Sequence, residues 1–539
     1  MTWLYIFSSI VLSIALLSLY IRFNDWRLTT IPKSALAVSP TRCTSEDVYQ
    51  AAAKLQKSPI SISDQIPPKT GRRYIVVGGL DVGQAGFLGG WIVMQLLERG
   101  EDPRRIRVLD IRAPMRHDLT TRGKDVQFIR TDISDAAAVD AAFNAPWPDD
   151  NTGPLPQITV FHTAANIRFY EKSELLLPNS ARVNVMGTQN IINAARDVGA
   201  TAMVYTSSGS VSVRSTRFLL WPWETEPVSF VQAINEDEAI IPKRHSDFFS
   251  NYAATKIDAE RRVRAADRTA SRDGVLRTGC IRPGNGVFGP GGDMLCGKFH
   301  YIRNYPLLTN YHTGAYLVRK INPTWMNSVV QNFVYVENAA VAHLLYEQRL
   351  IELANGSKNP DIGGQAFIIA DPGPPPTYGD VYLVLSTLTE GETLFPTLSP
   401  TLMLLISYLI ACYYLSRSWL VAAGYNIAQK LPALTGDMVN LQPSMFNLVN
   451  VHLIFDDSRA RLAPEKGGLG YKGAWTTFEG LHKTVAEHKL GALRSVQRSD
   501  VAGISFGFGL VKAQKAVGNG VVKVSEKMGV DLVQVLGST

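Results

Sequence analysis

The apolar positions of this chain fall into three patterns. From Trp3 to Ile21 they form an unbroken uncharged run, long enough to cross a bilayer as one helix. Trp3, Tyr5 and Tyr20 lie near its ends, where interfacial aromatics belong. In the second pattern, runs of strand length alternate with helix-length amphipathic stretches. The strands are read at Arg73–Val77, Ile106–Asp110, Val126–Arg130, Ile158–Phe161 and Ala202–Thr206, with helices at 91–99, 181–192 and around 252. Such alternation predicts an α/β fold with a doubly wound parallel sheet. The third pattern is a second apolar stretch, Leu402–Leu415, continued after Arg417 by Trp419–Ala423. It is short for a full span, so an in-plane or re-entrant membrane helix and a buried core helix both remain open. Residues 22–70 are mixed in character, with a single helical patch at Ser45–Lys57, and read as a linker.

Composition and charge narrow the partners. With 539 residues and 46% hydrophobic content the chain can hold one large domain plus extensions. The net charge of +7 is modest, and no Lys/Arg run is interleaved with aromatics. That excludes a nucleic-acid footprint and is compatible with an anionic membrane surface. Cys43, Cys280, Cys296 and Cys412 show no paired spacing, which argues against a metal site or disulfide framework and for a reducing compartment. The amino-terminal run lacks the preceding charge and small-residue cleavage site of a signal peptide, so it reads as an uncleaved anchor. Arg22, Arg27 and Lys33 follow it, which places the main domain on the cytosolic side.

Candidate chemistry sits at the strand ends. The strand at Arg73 runs into Gly78 and Gly79, and Ala85-Gly86-Phe87-Leu88-Gly89-Gly90 opens the next helix. A strand, a glycine turn and a helix amino terminus make a phosphate cradle, because glycine lets the backbone approach a pyrophosphate and the helix dipole favours its charge. The next strand ends in Asp110, placed to hold a ribose diol, which favours NAD; Arg112 keeps NADP open. Asp132 and Ile133 stand at a strand end where an adenine would rest, with an ordinary helix cap through Ser134 or Asp135 as the plainer reading. Ala164 and Ala165 are small enough for a cofactor to lie against the sheet, whereas His162 reads as structural. Asn184, with Gly187 and Thr188, offers a tightly packing helix surface. Tyr252 and Lys256 lie four residues apart and share one helix face. There the ammonium is expected to lower the pKa of the phenol and make it a usable base. Ser208, at the end of a strand, is placed to bond the same substrate oxygen.

These residues resemble the extended short-chain dehydrogenases, and within them the 3β-hydroxysteroid dehydrogenase and sterol-4α-carboxylate 3-dehydrogenase family. The shared landmarks are the split glycine motif, Val160–Ala165, Tyr205–Ser208, Tyr252–Lys256, Ile281–Pro290 and Asn332–Leu345. They cover residues 73 to about 370, and 455–485 looks like the family's carboxyl-terminal segment. The resemblance implies Tyr252 as acid/base, Lys256 binding ribose and tuning Tyr252, Ser208 orienting the substrate, and a cofactor site that includes Pro283. It also implies membrane contact near 402–423. Two features depart from the family. Leu80–Gln84 interrupt the glycine motif, either bulging outward with Gly78, Gly86 and Gly89 in place or bringing Asp81 near the pyrophosphate. The interval from Ser208 to Tyr252 is long, read either as a loop over the substrate cleft or as surface decoration.

The domains expected are an anchor at 1–22, a linker at 23–70, an NAD(P)-binding domain at 71–290, a substrate region at 291–498 including a membrane segment at 400–424, and a tail at 499–539. The activity expected is oxidation of the 3β-hydroxyl of a sterol or triterpenoid at the endoplasmic reticulum membrane, with loss of CO₂ when the substrate is a 4α-carboxysterol. The competing activities are 3β-hydroxysteroid oxidation with isomerisation, terpenoid dehydrogenation, nucleotide-sugar chemistry and nucleotide binding without turnover. A second copy of the chain, in a homodimer, is admitted as a partner.

Overall fold

The computed structural model describes residues 2–78, 84–112, 117–149, 155–290, 316–317, 319–434 and 436–494. Gly79, most of the interruption in the glycine motif (80–83) and the tail at 499–539 lie outside them.

Seven parallel strands form the main path of the central sheet: β1 (Arg73–Val77), β2 (Ile106–Asp110), β3 (Gln127–Arg130), β4 (Ile158–His162), β5 (Ala200–Thr206), β6 (Gly274–Pro283) and β7 (Ala366–Ile369). Their order is β7-β6-β5-β4-β1-β2-β3, and Thr269–Ser271 adds an antiparallel edge on β6. The order reverses between β1 and β4, the switch point at which a doubly wound sheet opens a crevice. Every residue of β1, β2 and β4 is buried, so their apolar positions do not alternate with exposed ones, and the polar residues among them, such as Arg107 and Thr159, are buried too. Helices on both faces supply the cover: α2 (Gln84–Glu98) with α4 (Val336–Ala354) on one side, and Thr188–Asp197 with α3 (Asn251–Ala265) on the other.

The apolar amino terminus is α1 (Thr2–Thr29), longer than the run that predicts it, and residues 3–19 are exposed along its length. Its last turns enter the body of the protein, where Asn24 and Leu28 are buried. The second apolar stretch is α5 (Pro400–Ala422), exposed on much of its surface and buried at Leu404, Ser407 and Ile410. Both are long and apolar enough to cross a membrane. Residues 23–70, expected as a linker, instead hold packed helices. Ser45–Lys57 forms where expected, its Thr44 and Asp47 closing a reciprocal capping box, and it buries Val48 against Val381 and Leu481.

The interval between Ser208 and Tyr252 is neither a free loop nor decoration. Val231–Ile234 pairs in parallel with His452–Phe455, and Phe218, Ile234, Phe248 and Phe249 share an apolar cluster with Phe446, Leu453 and Phe455. These residues build a buried apolar cluster against which Tyr252 packs.

Candidate active site

The carboxyl-terminal ends of the strands bring most of the expected residues to one edge. Gly78 ends β1 at φ +83°, and a Cβ there would lie 2.5 Å from the Ala164 nitrogen. Both the left-handed backbone and the close approach require glycine. The turn is locked by Ala164, whose N–H donates to the Val77 carbonyl at 3.0 Å, and by Thr163, whose hydroxyl donates to the Gly78 carbonyl at 2.8 Å. Helix α2 starts at Gln84, so Gly86 and Gly89 lie within its first turns. Phe87 and Leu88 put their side chains into the core beside Ile92 and Val76. Any contribution of theirs to a phosphate cradle would therefore come from the main chain of the helix terminus.

Asp110 is buried at the end of β2, where its carboxylate accepts the Arg112 N–H at 3.3 Å, and the Arg112 side chain is exposed. Asp132 and Ile133 behave differently from expectation. The Asp132 carboxylate folds back onto the Ser134 N–H and hydroxyl at 2.9 and 2.8 Å, and the helix is capped by Asp135. Ile133 is buried in the space that Gly187 leaves, where a Cβ would come within 2.8 Å of it. Ala164 and Ala165 are half-buried at the crevice. Asn184 turns inward within a π-helical turn: it accepts the Asn166 N–H at 2.7 Å and donates to the Asn166 carbonyl at 3.1 Å and Thr255 Oγ1 at 3.0 Å. Its amide ties the loop after Ala165 to α3 and is spent within the protein. Pro283 is buried at the end of β6, paired with Ile369.

Ser208, Tyr252 and Lys256 come together. Ser250 caps α3 by accepting the Ala253 N–H, so Tyr252 sits in its first turn and Lys256 one turn deeper. Ser208 bonds the Ser210 hydroxyl at 2.7 Å and lies near enough to the Tyr252 phenol to favour its ionised form. Lys256 is buried; its Nζ donates to the Thr206 carbonyl at 2.6 Å and stands 4.1 Å from the centroid of the Tyr205 ring.

This arrangement corrects the expected electrostatics. Burial pushes the Tyr252 phenol up to about 12, against the opposing hydrogen bond from Ser208, and burial pulls Lys256 down to about 7. The shared helix face is real, but the ammonium is directed at β5, so it does not by itself turn the phenol into a base. Glu260, one turn further along α3, favours the charged form of Lys256 and is itself held ionised by a bidentate pair with Arg282 at 2.6 and 2.9 Å.

Two features escaped the sequence reading. Thr206 is bonded to His343 Nε2 at 2.7 Å, and His343 Nδ1 is 2.7 Å from the Ala339 carbonyl. The carbonyl must receive a proton, so Nδ1 donates and Nε2 accepts, which fixes the tautomer beneath Lys256. Buried Glu171 accepts from Arg168 at 2.8 Å and from Tyr414 of α5 at 2.7 Å, while its main-chain carbonyl receives the Asn251 N–H at 2.7 Å. Through Glu171 the second apolar helix thus reaches the start of α3, a contact across some 240 residues that no local pattern signals. Arg214 and Arg217, which follow the Ser208 strand, are exposed, and Arg217 pairs with Glu224.

A parallel sheet with its switch-point crevice, a glycine-ended first strand and a Tyr/Lys helix facing a strand-end serine define the class of the extended short-chain dehydrogenases. Residues 80–392 match the 3-beta hydroxysteroid dehydrogenase/isomerase family, and the chain belongs to it. Among relatives, a 3beta-hydroxysteroid-dehydrogenase/decarboxylase (isoform 2) of Arabidopsis thaliana is 28% identical over 367 residues, covering 68% of this chain and 52% of that protein. The decarboxylating sterol-4-alpha-carboxylate 3-dehydrogenase of Candida albicans is 28% identical, with 55% of this chain and 70% of that protein aligned. The 3 beta-hydroxysteroid dehydrogenase type 7 of Mus musculus is 29% identical, with 57% and 70% aligned. The chain spans about half the length of the first of these. Among solved structures, epimerase Mth375 of Methanothermobacter thermautotrophicus aligns with 81% of this chain and 98% of its own at 16% identity and a TM-score of 0.48.

Proposed function

We propose that the chain is a membrane-anchored dehydrogenase that oxidises the 3β-hydroxyl of a sterol with NAD, taking a 4α-carboxysterol and releasing CO₂. The observation that carries this is the convergence of Ser208, Tyr252 and Lys256 beside an apolar cluster in which Tyr252 packs with Phe169, Val211 and Phe455. An alcohol on a flat hydrocarbon suits such a wall. Family membership and the names of the relatives support the same reading.

The residues present fit a dinucleotide. Gly78 lets the backbone come close, the terminus of α2 faces the crevice, and Asp110 stands at the end of β2 for a ribose diol. The chemistry such a cofactor supplies is acceptance of a hydride from the carbinol carbon. Ser208 orients the substrate hydroxyl and Tyr252 takes its proton as general base. For Tyr252 to do so near neutrality its phenol must ionise, which requires the Lys256 ammonium to turn towards it from the Thr206 carbonyl. Glu260, itself held ionised by Arg282, favours that cation. When a carboxylate stands on the carbon adjacent to the new ketone, the product is a β-keto acid, which loses CO₂ without further help from the protein. The catalytic domain would lie on the cytosolic face of the endoplasmic reticulum, since Arg22, Arg27 and Lys33 follow the apolar run.

The test is NADH formation by detergent-solubilised protein with a 3β-hydroxy-4α-carboxysterol and with the same sterol lacking the carboxylate. Turnover of the acid alone, with one CO₂ per NADH, supports the proposal. Turnover of both moves the assignment to a general 3β-hydroxysteroid dehydrogenase, and turnover of neither, with cofactor bound, removes the sterol.

A further inference from the structure

The interval between Ser208 and Tyr252 leaves one stretch outside the apolar cluster it builds. Phe218 and Leu220 are buried, whereas Trp221, Trp223 and Val228 are 57%, 75% and 75% exposed. The two indoles stack on each other at 5.4 Å between centroids and 3° between planes. Two large aromatics held together in water forgo the burial that usually stabilises them, and such an exposed patch marks a contact surface.

The stem of this loop is fastened to α1. The Tyr20 hydroxyl donates to the Leu220 carbonyl at 3.0 Å, and the Leu220 N–H donates to Asn24 Oδ1 at 3.0 Å. Asn24 also donates to Thr401 Oγ1 at 2.8 Å, and the Thr401 N–H donates to Asp25 Oδ1 at 2.9 Å, so α5 begins at the same level. Helix geometry sets that level. At a rise of 1.5 Å per residue, Tyr20 lies about 26 Å along the axis from Trp3, close to the roughly 30 Å of a hydrocarbon core. If Trp3 marks one face of a bilayer, Tyr20 and the loop bonded to it stand at the other, the depth that indoles prefer.

We propose that the Trp221–Trp223 loop is a third membrane contact, seated in the headgroup–acyl boundary of the bilayer that α1 crosses. This rests on the reading of α1 as a membrane span. The loop, with α1 and α5, fixes the height of the catalytic domain over the lipid. One apolar cluster joins Leu28 of α1, Phe218 of the loop stem and Leu404 of α5, and Tyr252 packs against it. The docked face and the catalytic phenol thus share one apolar cluster.

The full chain, reconstituted in phosphatidylcholine vesicles, tests this by tryptophan quenching with lipids brominated at the 6,7 or the 11,12 positions. Wild type and the double variant Trp221→Phe/Trp223→Phe are compared, with carbonate extraction run on both. Greater quenching of wild type than of the variant, larger with the shallower bromines, is expected, with both proteins retained by carbonate. Retention with equal quenching overturns the loop contact and leaves the anchor. Release of wild type by carbonate overturns the anchor and the loop contact together. A change from dimer to monomer in detergent on making the variant assigns the patch to a second copy of the chain, and overturns the proposal. A second variant, Trp221→Ser/Trp223→Ser, is expected to raise KM for vesicle-borne sterol several-fold while kcat stays within twofold. An unchanged KM counts against the loop.

Discussion

The two ends of the central sheet carry similar side chains and use them in opposite ways. At the amino-terminal end, Tyr74 of β1 meets Thr70, Arg99 and Glu101, and Arg99 holds both Glu101 and Glu347 at 3.0 Å, with all three charged side chains 2% exposed or less. At the carboxyl-terminal end, Tyr252 lies beside Ser208, which favours its ionised form, and Lys256 spends its ammonium on a main-chain carbonyl and a ring face. The Tyr74 phenol is pushed far up by burial and the neighbouring Glu347, so it stays protonated. Tyr252 is raised less, and its neighbour Lys256 sits near neutrality at about 7. Where charges are closed by partners, a phenol is a strut. Where the cation is held by weaker acceptors, its protonation and position remain free to change.

The sharpest way to break this comparison is to remove one phenol at a time. Tyr252→Phe should lower kcat by about 10²–10⁴-fold, the usual weight of a general acid/base, with little change in the midpoint of thermal unfolding. Tyr74→Phe should do the reverse, keeping kcat and losing about 1–3 kcal/mol by leaving its buried polar partners unsatisfied. Arg99→Met should cost about 3–5 kcal/mol in urea unfolding, because Glu101 and Glu347 are then buried without their cation. Its folded fraction should turn over normally.

The acid limb sharpens the comparison further. Burial holds His162 down to about 3 and His343 and His452 to about 4, so the unfolded chain binds more protons than the native one between about pH 6.5 and 4. Stability is present above that range and falls as the pH drops through it. Asp371, pushed up to about 7 by burial, takes up a proton in the native state over the same interval and offsets one histidine. The net of two protons gives a loss on the order of 3 kcal/mol per pH unit at full slope, measurable from urea midpoints at pH 7, 6 and 5. The smallest effect expected is that of Thr206→Val, which leaves His343 Nε2 buried without its donor. About 1 kcal/mol of stability and a few-fold in kcat should go, and a kcat that does not move would detach His343 from the site.

The strands were legible where burial on both faces gathers apolar residues between turn signals, as in Ile106–Asp110, which forms with the boundaries expected despite its Arg107. The serine, tyrosine and lysine were legible because a strand end and a helical spacing put them on one edge. Direction within that edge was not. Lys256 shares a face with Tyr252, yet the Thr206 carbonyl and Tyr205 ring, fifty residues away, decide where its ammonium points. Asp132, Ile133 and Asn184 were read by position; Asp132 closes a local turn onto Ser134, while tertiary packing puts Ile133 into the gap at Gly187 and Asn184 into the clamp between Asn166 and Thr255. The packing of residues 23–70 was hidden for the same reason, since Val48 finds its neighbours more than three hundred residues along the chain.

The most direct test of the account places Tyr252→Phe and Tyr74→Phe side by side in the full chain, measuring NADH formation with a 3β-hydroxy-4α-carboxysterol and thermal unfolding on the same samples. The account predicts an inactive, stable first variant and an active, destabilised second one. A Tyr252→Phe protein that keeps its kcat, or loses it only in step with its fold, would contradict it.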